Sequence, residues 1–285
     1  MYIEFTKAEA LGNDYILLDL FKNDYHSLIP RMNKISQLLS DRHFGIGGDG
    51  VILIIPKDEY DCEMRIFNAD GSEAEMCGNG IRQVARYFYE NISKKDKISV
   101  YTKAGVKVVE IIENKDLFFK VDMGEPDLRS NSVVDNSLIP EKTIINKEFD
   151  FGFNKFKITT ISMGNPHCVI FVDDLGNLDI SSIGPRIENH KLFPNRVNVE
   201  FVKVISEDEI AMRVWERGSG ETMACGTGAC ASVVATIVNE ISRKRKIKVH
   251  LLGGDLDIEW GKDNHIYMTG GANLVFNGTF IKEEF

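Results

Sequence analysis

No stretch of this sequence is long and apolar enough to suggest a membrane helix. The longest strictly apolar run is Val51–Ile55, far short of the roughly 20 residues a spanning helix needs. Basic charge is also in short supply: 34 Lys and Arg face 43 Asp and Glu, for a net charge of −9 at pH 7. With a pI near 5.3, this argues against nucleic acid or an anionic membrane as partner. Cysteine is sparse and odd in number, five in 285 residues, which fits reduced thiols better than a disulfide scaffold. The first fifteen residues lack the basic start and apolar core of a signal peptide, so a cytoplasmic protein is expected. What is present, 43% hydrophobic and 27% charged residues, is the composition of a folded chain. Its length suits two domains of about 140 residues each.

The chain contains a copy of part of itself. Residues 64–80 read MRIFNADGSEAEMCGNG and residues 212–228 read MRVWERGSGETMACGTG. At a constant offset of 148 residues, Met64/Met212, Arg65/Arg213, Glu73/Glu221, Cys77/Cys225, Gly78/Gly226 and Gly80/Gly228 are identical. A weaker echo pairs Leu11-Gly12-Asn13 with Met163-Gly164-Asn165. Such self-similarity points to two homologous halves. In each, a short alternating run (MRIF, MRVW) reads as a strand and the residues after the cysteine read as a helix. Ile81, Val84, Ala85 and Phe88 recur at helical spacing, while the second helix is apolar nearly all round and should be buried. VILII, KISVYT, VKVVEII, FFKVDM, FKITTIS, VNVEFVKVI and IKVHLLG are further strand-like runs.

The expected fold is α+β, with two pseudo-symmetric domains, each a mainly antiparallel sheet or barrel around a central helix. Residues 1–125 carry Cys77, with 270–285 packing back onto them, and residues 126–269 carry Cys225. The polar, proline-containing stretch 125–150 is expected to connect the domains.

A thiol at a helix N-terminus sits among unpaired amides that lower its pKa. The glycines after it let backbone approach a ligand and bind an anion. The amides of Gly78, Asn79, Gly226 and Thr227 would then hold a substrate carboxylate and stabilise charge on the adjacent carbon. One thiolate would take a proton from that carbon and the other thiol return one to the opposite face. Other readings of the same residues are inert buried cysteines and a Cys77–Cys225 disulfide. For zinc, His167, Cys77, Cys225 and Cys230 supply ligand types, but no C-x2-C or H-x3-H spacing accompanies them. Cys62, Cys168 and Cys230 have no repeat partner and read as packing residues.

The sequence resembles the diaminopimelate epimerases over nearly its whole length. The matching segments include LGNDY (11–15), GIGGDG (45–50), FNADGSE (67–73), CGNG (77–80), SMGNPH (162–167), FPNRVNVEF (193–201), ERGSGE (216–221), ACGTGA (224–229) and YMTG (267–270). The resemblance implies a cofactor-independent, metal-free epimerase interconverting LL- and meso-diaminopimelate for lysine and peptidoglycan precursors. Cys77 and Cys225 would be its acid/base pair, with His167 near Cys77 and Glu216 near Cys225 tuning the thiols. Asn13, Asn68, Asn165, Asn198, Glu216 and Arg217 match substrate contacts, Arg217 as clamp for the distal carboxylate. Gly78, Asn79, Gly226 and Thr227 match the amides around the reacting carboxylate. Tyr267 matches a tyrosine of the dimer interface, so a homodimer is expected.

Glu9, Ala10, Gly50, Gln83 and Met223 depart from the family's frequent residues, and a glutamine contact at position 50 does not carry over. These departures leave room for a shifted substrate. The competing readings are a racemase of another amino acid, a non-catalytic binding protein on the same fold, and a pyridoxal enzyme. No lysine occupies a repeated position that would mark the last.

Overall fold

The computed structural model describes residues 2–113 and 116–282. They divide into two compact units, Met1–Val121 with Gly270–Phe285, and Asp122–Thr269. The helices are α1 (Met32–Ser40), α2 (Gly78–Asn91), α3 (Ile180–Glu188) and α4 (Gly226–Val238).

The first unit opens with a hairpin, Tyr2–Ala10 against Asn13–Asp19, turned by Leu11 and Gly12 with φ of 56° and 81°. Two successive positive φ values are what a tight two-residue hairpin turn requires. After α1 the chain returns as Gly50–Lys57, parallel to Asn13–Asp19. Tyr60–Asn68 then runs antiparallel to it, and α2 precedes Lys97–Thr102, again a parallel neighbour. Gly105–Glu113 and Leu117–Asp122 follow as antiparallel meanders, and Asn273–Ile281 closes against Tyr2–Ala10.

The second unit repeats this order. Lys155–Ser162 forms a hairpin with Pro166–Phe171, and after α3, Asn198–Val204 lies parallel to the latter. Glu209–Glu216 is antiparallel to it, α4 intervenes, and Lys246–Leu251 is a parallel neighbour. Gly254–Trp260 and Ile266–Gly270 complete the meander. The sheets are thus mainly antiparallel, as expected, with two parallel steps per unit that each require a helical crossover.

These crossovers explain the runs of unbroken apolar residues. Val51 and Leu53 pack with Ile16, Leu18, Met32, Ile35 and Leu39 on the α1 side. Ile52 faces the other way, its Cδ1 2.9 Å from where a Cβ on Gly80 of α2 would lie. A strand buried on both faces reads as continuous hydrophobicity. In α4, Ala229, Cys230, Ala231, Val233, Val234 and Ala235 are all fully buried, as its all-round apolar character predicts.

The stretch 125–150 is not the linker its polarity suggests. Val133, Val134, Ile139 and Ile144 are buried in the second unit's core with Ile158, Ile170, Ile187 and Phe201. Backbone bonds tie it in: Asp127 pairs with Ser162 and Thr160 N–H donates to the Ile144 carbonyl at 3.0 Å. Its few apolar residues, spaced between polar ones, are what anchor it.

Candidate active site

Each repeated cysteine caps a helix. Cys77 has extended backbone (φ −138°, ψ 121°) and its sulfur accepts the Gly80 amide at 3.4 Å. Cys225 (φ −119°, ψ 111°) accepts the Gly228 amide, also at 3.4 Å. Sulfur here takes the place usually filled by a serine or aspartate oxygen at a helix start, and an amide bond to sulfur favours its charged form. The loop before each cysteine is held by a repeated ion pair, Arg65 to Glu73 at 2.7 Å and Arg213 to Glu221 at 2.8 Å. All five cysteines are free thiols.

Around Cys77, the sulfur lies 3.5 Å from Asn13 Oδ1. Asn13 is itself braced: its Nδ2 donates to Asp49 at 2.6 Å, and its carbonyl accepts from the buried Gln83 at 2.9 Å. Tyr15, 5% exposed, brings its phenol into hydrogen-bond reach of both Cys77 and Asn13, and burial first, then the Cys77 sulfur, pushes that phenol well above its usual value. At the helix start, the fully buried Arg82 donates to the Gly78 carbonyl at 3.0 Å and to Asn79 Oδ1 at 2.9 Å. Asn68 donates to Ser72 at 3.0 Å.

Around Cys225, Glu216 lies within hydrogen-bond reach of the thiol and accepts from the Thr222 hydroxyl at 2.5 Å. Burial raises the Glu216 carboxyl, with the Thr222 and Cys225 hydrogen bonds opposing. Burial likewise pushes the Cys225 thiol well above its usual range, and the charges of Glu216 and Glu200 push the same way. The Thr227 hydroxyl and Gly228 amide pull it down, less strongly. This corrects the expectation that a helix start lowers the thiol: at Cys225 desolvation outweighs the amides. A thiol raised beside a raised carboxyl is a pair suited to exchanging one proton.

The remaining expected residues of this unit are linked. Cys225 Sγ lies 3.5 Å from Thr227 Oγ1, and Thr227 accepts from Asn165 Nδ2 at 3.3 Å. Asn165 Oδ1 is 3.0 Å from Nε2 of the fully buried His167, whose Nδ1 is 2.7 Å from Glu200. Asn198 donates to the Pro166 carbonyl at 3.0 Å and accepts the Arg217 amide at 2.9 Å. The exposed Arg217 side chain donates from Nη1 to the Asn195 carbonyl at 3.1 Å. Gly226 is the buried first residue of α4.

Tyr267 donates its phenol to Asp263 at 2.6 Å, a bond that raises it to about 12. Gly50 has no room for a side chain, since a Cβ there would sit 2.4 Å from the Phe67 carbonyl and 3.0 Å from Tyr15. Glu9 accepts from Gly12 N–H at 3.2 Å and from Asn273 at 2.5 Å, Ala10 is buried, and Met223 is half exposed. Cys62, Cys168 and Cys230 are fully buried, and burial raises Cys62 to about 12. Among the described residues no three His, Cys, Asp or Glu side chains are grouped to hold a metal ion.

Sequence reasoning gave no site role to Tyr15, Gln83, Glu200 or Thr222, although Gln83 stood out as a departure from the family. Glu200 had a signal: a lone carboxylate inside the apolar run VNVEFV must find a partner if that strand is buried. Tyr15 had none, because a tyrosine in a strand is ordinary packing.

The duplicated α+β fold recurs in solved structures of very different sequence. The structure of a probable proline racemase from Agrobacterium radiobacter superimposes with a TM-score of 0.70 at 12% identity, over 99% of this chain and 93% of that one. At this identity the likeness is one of fold. The chain belongs to the diaminopimelate epimerase family, whose pattern it matches over residues 5–129 and 159–275. It is 49% identical to the diaminopimelate epimerase of Pelotomaculum thermopropionicum, over 98% of this chain and 99% of that one. Against the diaminopimelate epimerase of Desulfitobacterium hafniense identity is 47%, over 99% of both chains.

Proposed function

We propose that the protein interconverts LL- and meso-2,6-diaminopimelate by two-base proton transfer at one α-carbon, serving lysine and peptidoglycan precursor synthesis. The observation that carries this reading is the pair of free thiols, each accepting a backbone amide at the start of a helix. One thiolate removes the α-proton, and the other thiol delivers its own proton to the opposite face of the carbanion. The enzyme ends with its proton moved from one sulfur to the other, and the reverse reaction restores it. Cys225 acts as acceptor and Cys77 as donor in one direction. Glu216 takes the proton that Cys225 must lose to become a base, and His167 serves the Cys77 thiol.

The amides of Gly78, Asn79, Gly226 and Thr227 hold the reacting carboxylate, where helix starts favour an anion. Asn13, Asn68, Asn165, Asn198 and Glu216 contact the substrate, and Arg217, with donors left in its guanidinium fork, clamps the distal carboxylate. The chemistry runs on side chains alone, with no pyridoxal or other cofactor. The working form is a cytoplasmic homodimer with Tyr267 at its interface. No helix among the described residues is long and apolar enough to cross a membrane.

Proton NMR of LL-diaminopimelate in D2O, with reduced protein free of pyridoxal, tests the reading. Deuterium should enter the α-position as meso product forms, and Cys77→Ala or Cys225→Ala should each lower turnover by about 10²–10⁴-fold, the range for a lost acid or base. Undiminished turnover in either variant overturns the two-thiol mechanism, and exchange confined to another amino acid overturns the substrate.

A further inference from the structure

Glu200 stands in the apolar strand Asn198–Val204 with its side chain fully buried, as is that of His167. A carboxylate without solvent is destabilising unless paired. The parallel register sets His167 beside Asn198 and Val169 beside Glu200, so Glu200 is the next same-face neighbour of Asn198 and reaches His167 diagonally. Glu200 Oε1 lies 2.7 Å from His167 Nδ1, while Oε2 has no hydrogen-bond partner among the described residues. The approach to α4 is close: a Cβ on Gly228 would lie 2.7 Å from Glu200 Oε1 and 3.2 Å from its Cγ.

We propose that Glu200 is a positioning residue, whose carboxylate keeps a proton on Nδ1 of His167 and thereby leaves Nε2 as the nitrogen that serves the site. An ionised carboxylate only accepts, so Nδ1 must donate. Nε2 meets the Asn165 amide, whose two ends are interchangeable by rotation. When Nε2 is bare, the amide NH₂ donates to it, the amide oxygen accepts from the Thr227 hydroxyl, and Thr227 accepts the Cys225 S–H. When Nε2 is protonated, the amide oxygen turns to it and the NH₂ donates to Thr227, whose hydroxyl hydrogen then points at Cys225. The second arrangement favours a thiolate on Cys225. The chain Glu200–His167–Asn165–Thr227–Cys225 thus reports the state of one histidine nitrogen at a reacting sulfur.

This rests on Cys225 being one of the acid/base pair, and the test separates the two ideas. Protein labelled with ¹⁵N-histidine, with the His167 signals assigned by their loss in His167→Gln, gives the tautomer from long-range ¹H–¹⁵N correlations without any turnover. The wild type should show His167 protonated at Nδ1. Glu200→Gln, which can donate as well as accept, should populate the Nε2–H tautomer. It should lower kcat by about 10–100-fold, the loss typical when a histidine's orienting partner is removed, with KM within about twofold. An unprotonated Nδ1 in the wild type overturns the proposal, and that spectrum decides it even if no Glu200 variant folds. Full activity in Glu200→Gln, or lost activity with an unchanged His167 pattern, also overturns it. If Cys225→Ala still converts the LL substrate into meso product at an undiminished rate, it is the two-thiol reading that fails, and the His167 assignment stands.

Discussion

Arg213 donates from Nε to Glu221 at 2.8 Å, the counterpart in the second half of the 2.7 Å bond from Arg65 to Glu73. The two pairs are built into different surroundings. Glu73 is shared, accepting also from Lys103 at 3.0 Å, whereas in the second half the arginine is shared, donating to the carbonyls of Leu175 at 2.6 Å and Leu178 at 3.2 Å. Arg213→Ala should therefore destabilise by about 1–3 kcal/mol, since two carbonyls lose their donor. Glu221→Ala should cost below about 1 kcal/mol, the worth of a partly exposed ion pair. Urea midpoints of the two variants check this, and equal losses would show that the carbonyl bonds contribute nothing.

Gly80 and Gly228 occupy the same place in the repeat but tolerate a methyl group differently. A Cβ on Gly80 meets the end of the Ile52 side chain at 2.9 Å, whereas one on Gly228 meets the buried Glu200 carboxylate at 2.7 Å. Gly80→Ala should be near neutral, its overpacking offset by the roughly 0.5–1 kcal/mol that alanine gains over glycine in a helix. Gly228→Ala should lose about 1–3 kcal/mol and most of its turnover. Urea unfolding with an epimerase assay compares them, and equal behaviour of the two alanines would count against a fixed Glu200.

Glu216 gives the protein a pH signature. Burial raises its carboxyl above the ordinary 4.5, so above that pH the folded protein holds this proton where the unfolded chain has lost it. Stability due to this group is therefore undiminished below the unfolded pKa and falls as pH rises from there through the folded one. Glu216→Gln should be more stable than wild type at about pH 7 and equal to it near pH 3.5, while its turnover drops. Denaturation at the two pH values decides it, and a gain that persists in acid would place the cause elsewhere.

Tyr15→Phe removes a buried hydroxyl within reach of Cys77 and Asn13 and leaves the ring. The loss of one hydrogen bond, about 0.5–1.5 kcal/mol, should lower kcat by roughly 2–12-fold at unchanged KM. A higher KM with normal kcat would instead assign the hydroxyl to substrate binding.

The amino-acid sequence by itself determined the duplication and the strand–loop–helix unit around each cysteine, because these depend on contacts a few residues apart. Arg65 and Glu73 are eight positions apart, and Cys77 caps a helix three residues from the amide it accepts. Residue spacing alone specifies such geometry. The alternation of strands and the burial of α4 were legible for the same reason, as periodicity is local. Only the tertiary structure decided what meets the sulfurs. Glu200 reaches His167 across 33 positions through a parallel register that a helical crossover brings about, and Gln83 on α2 reaches Asn13 across 70. It also decided the protonation balance at Cys225, where burial by the surrounding core outweighs the helix start. Desolvation is a property of everything packed around a group, and no short window of sequence contains it.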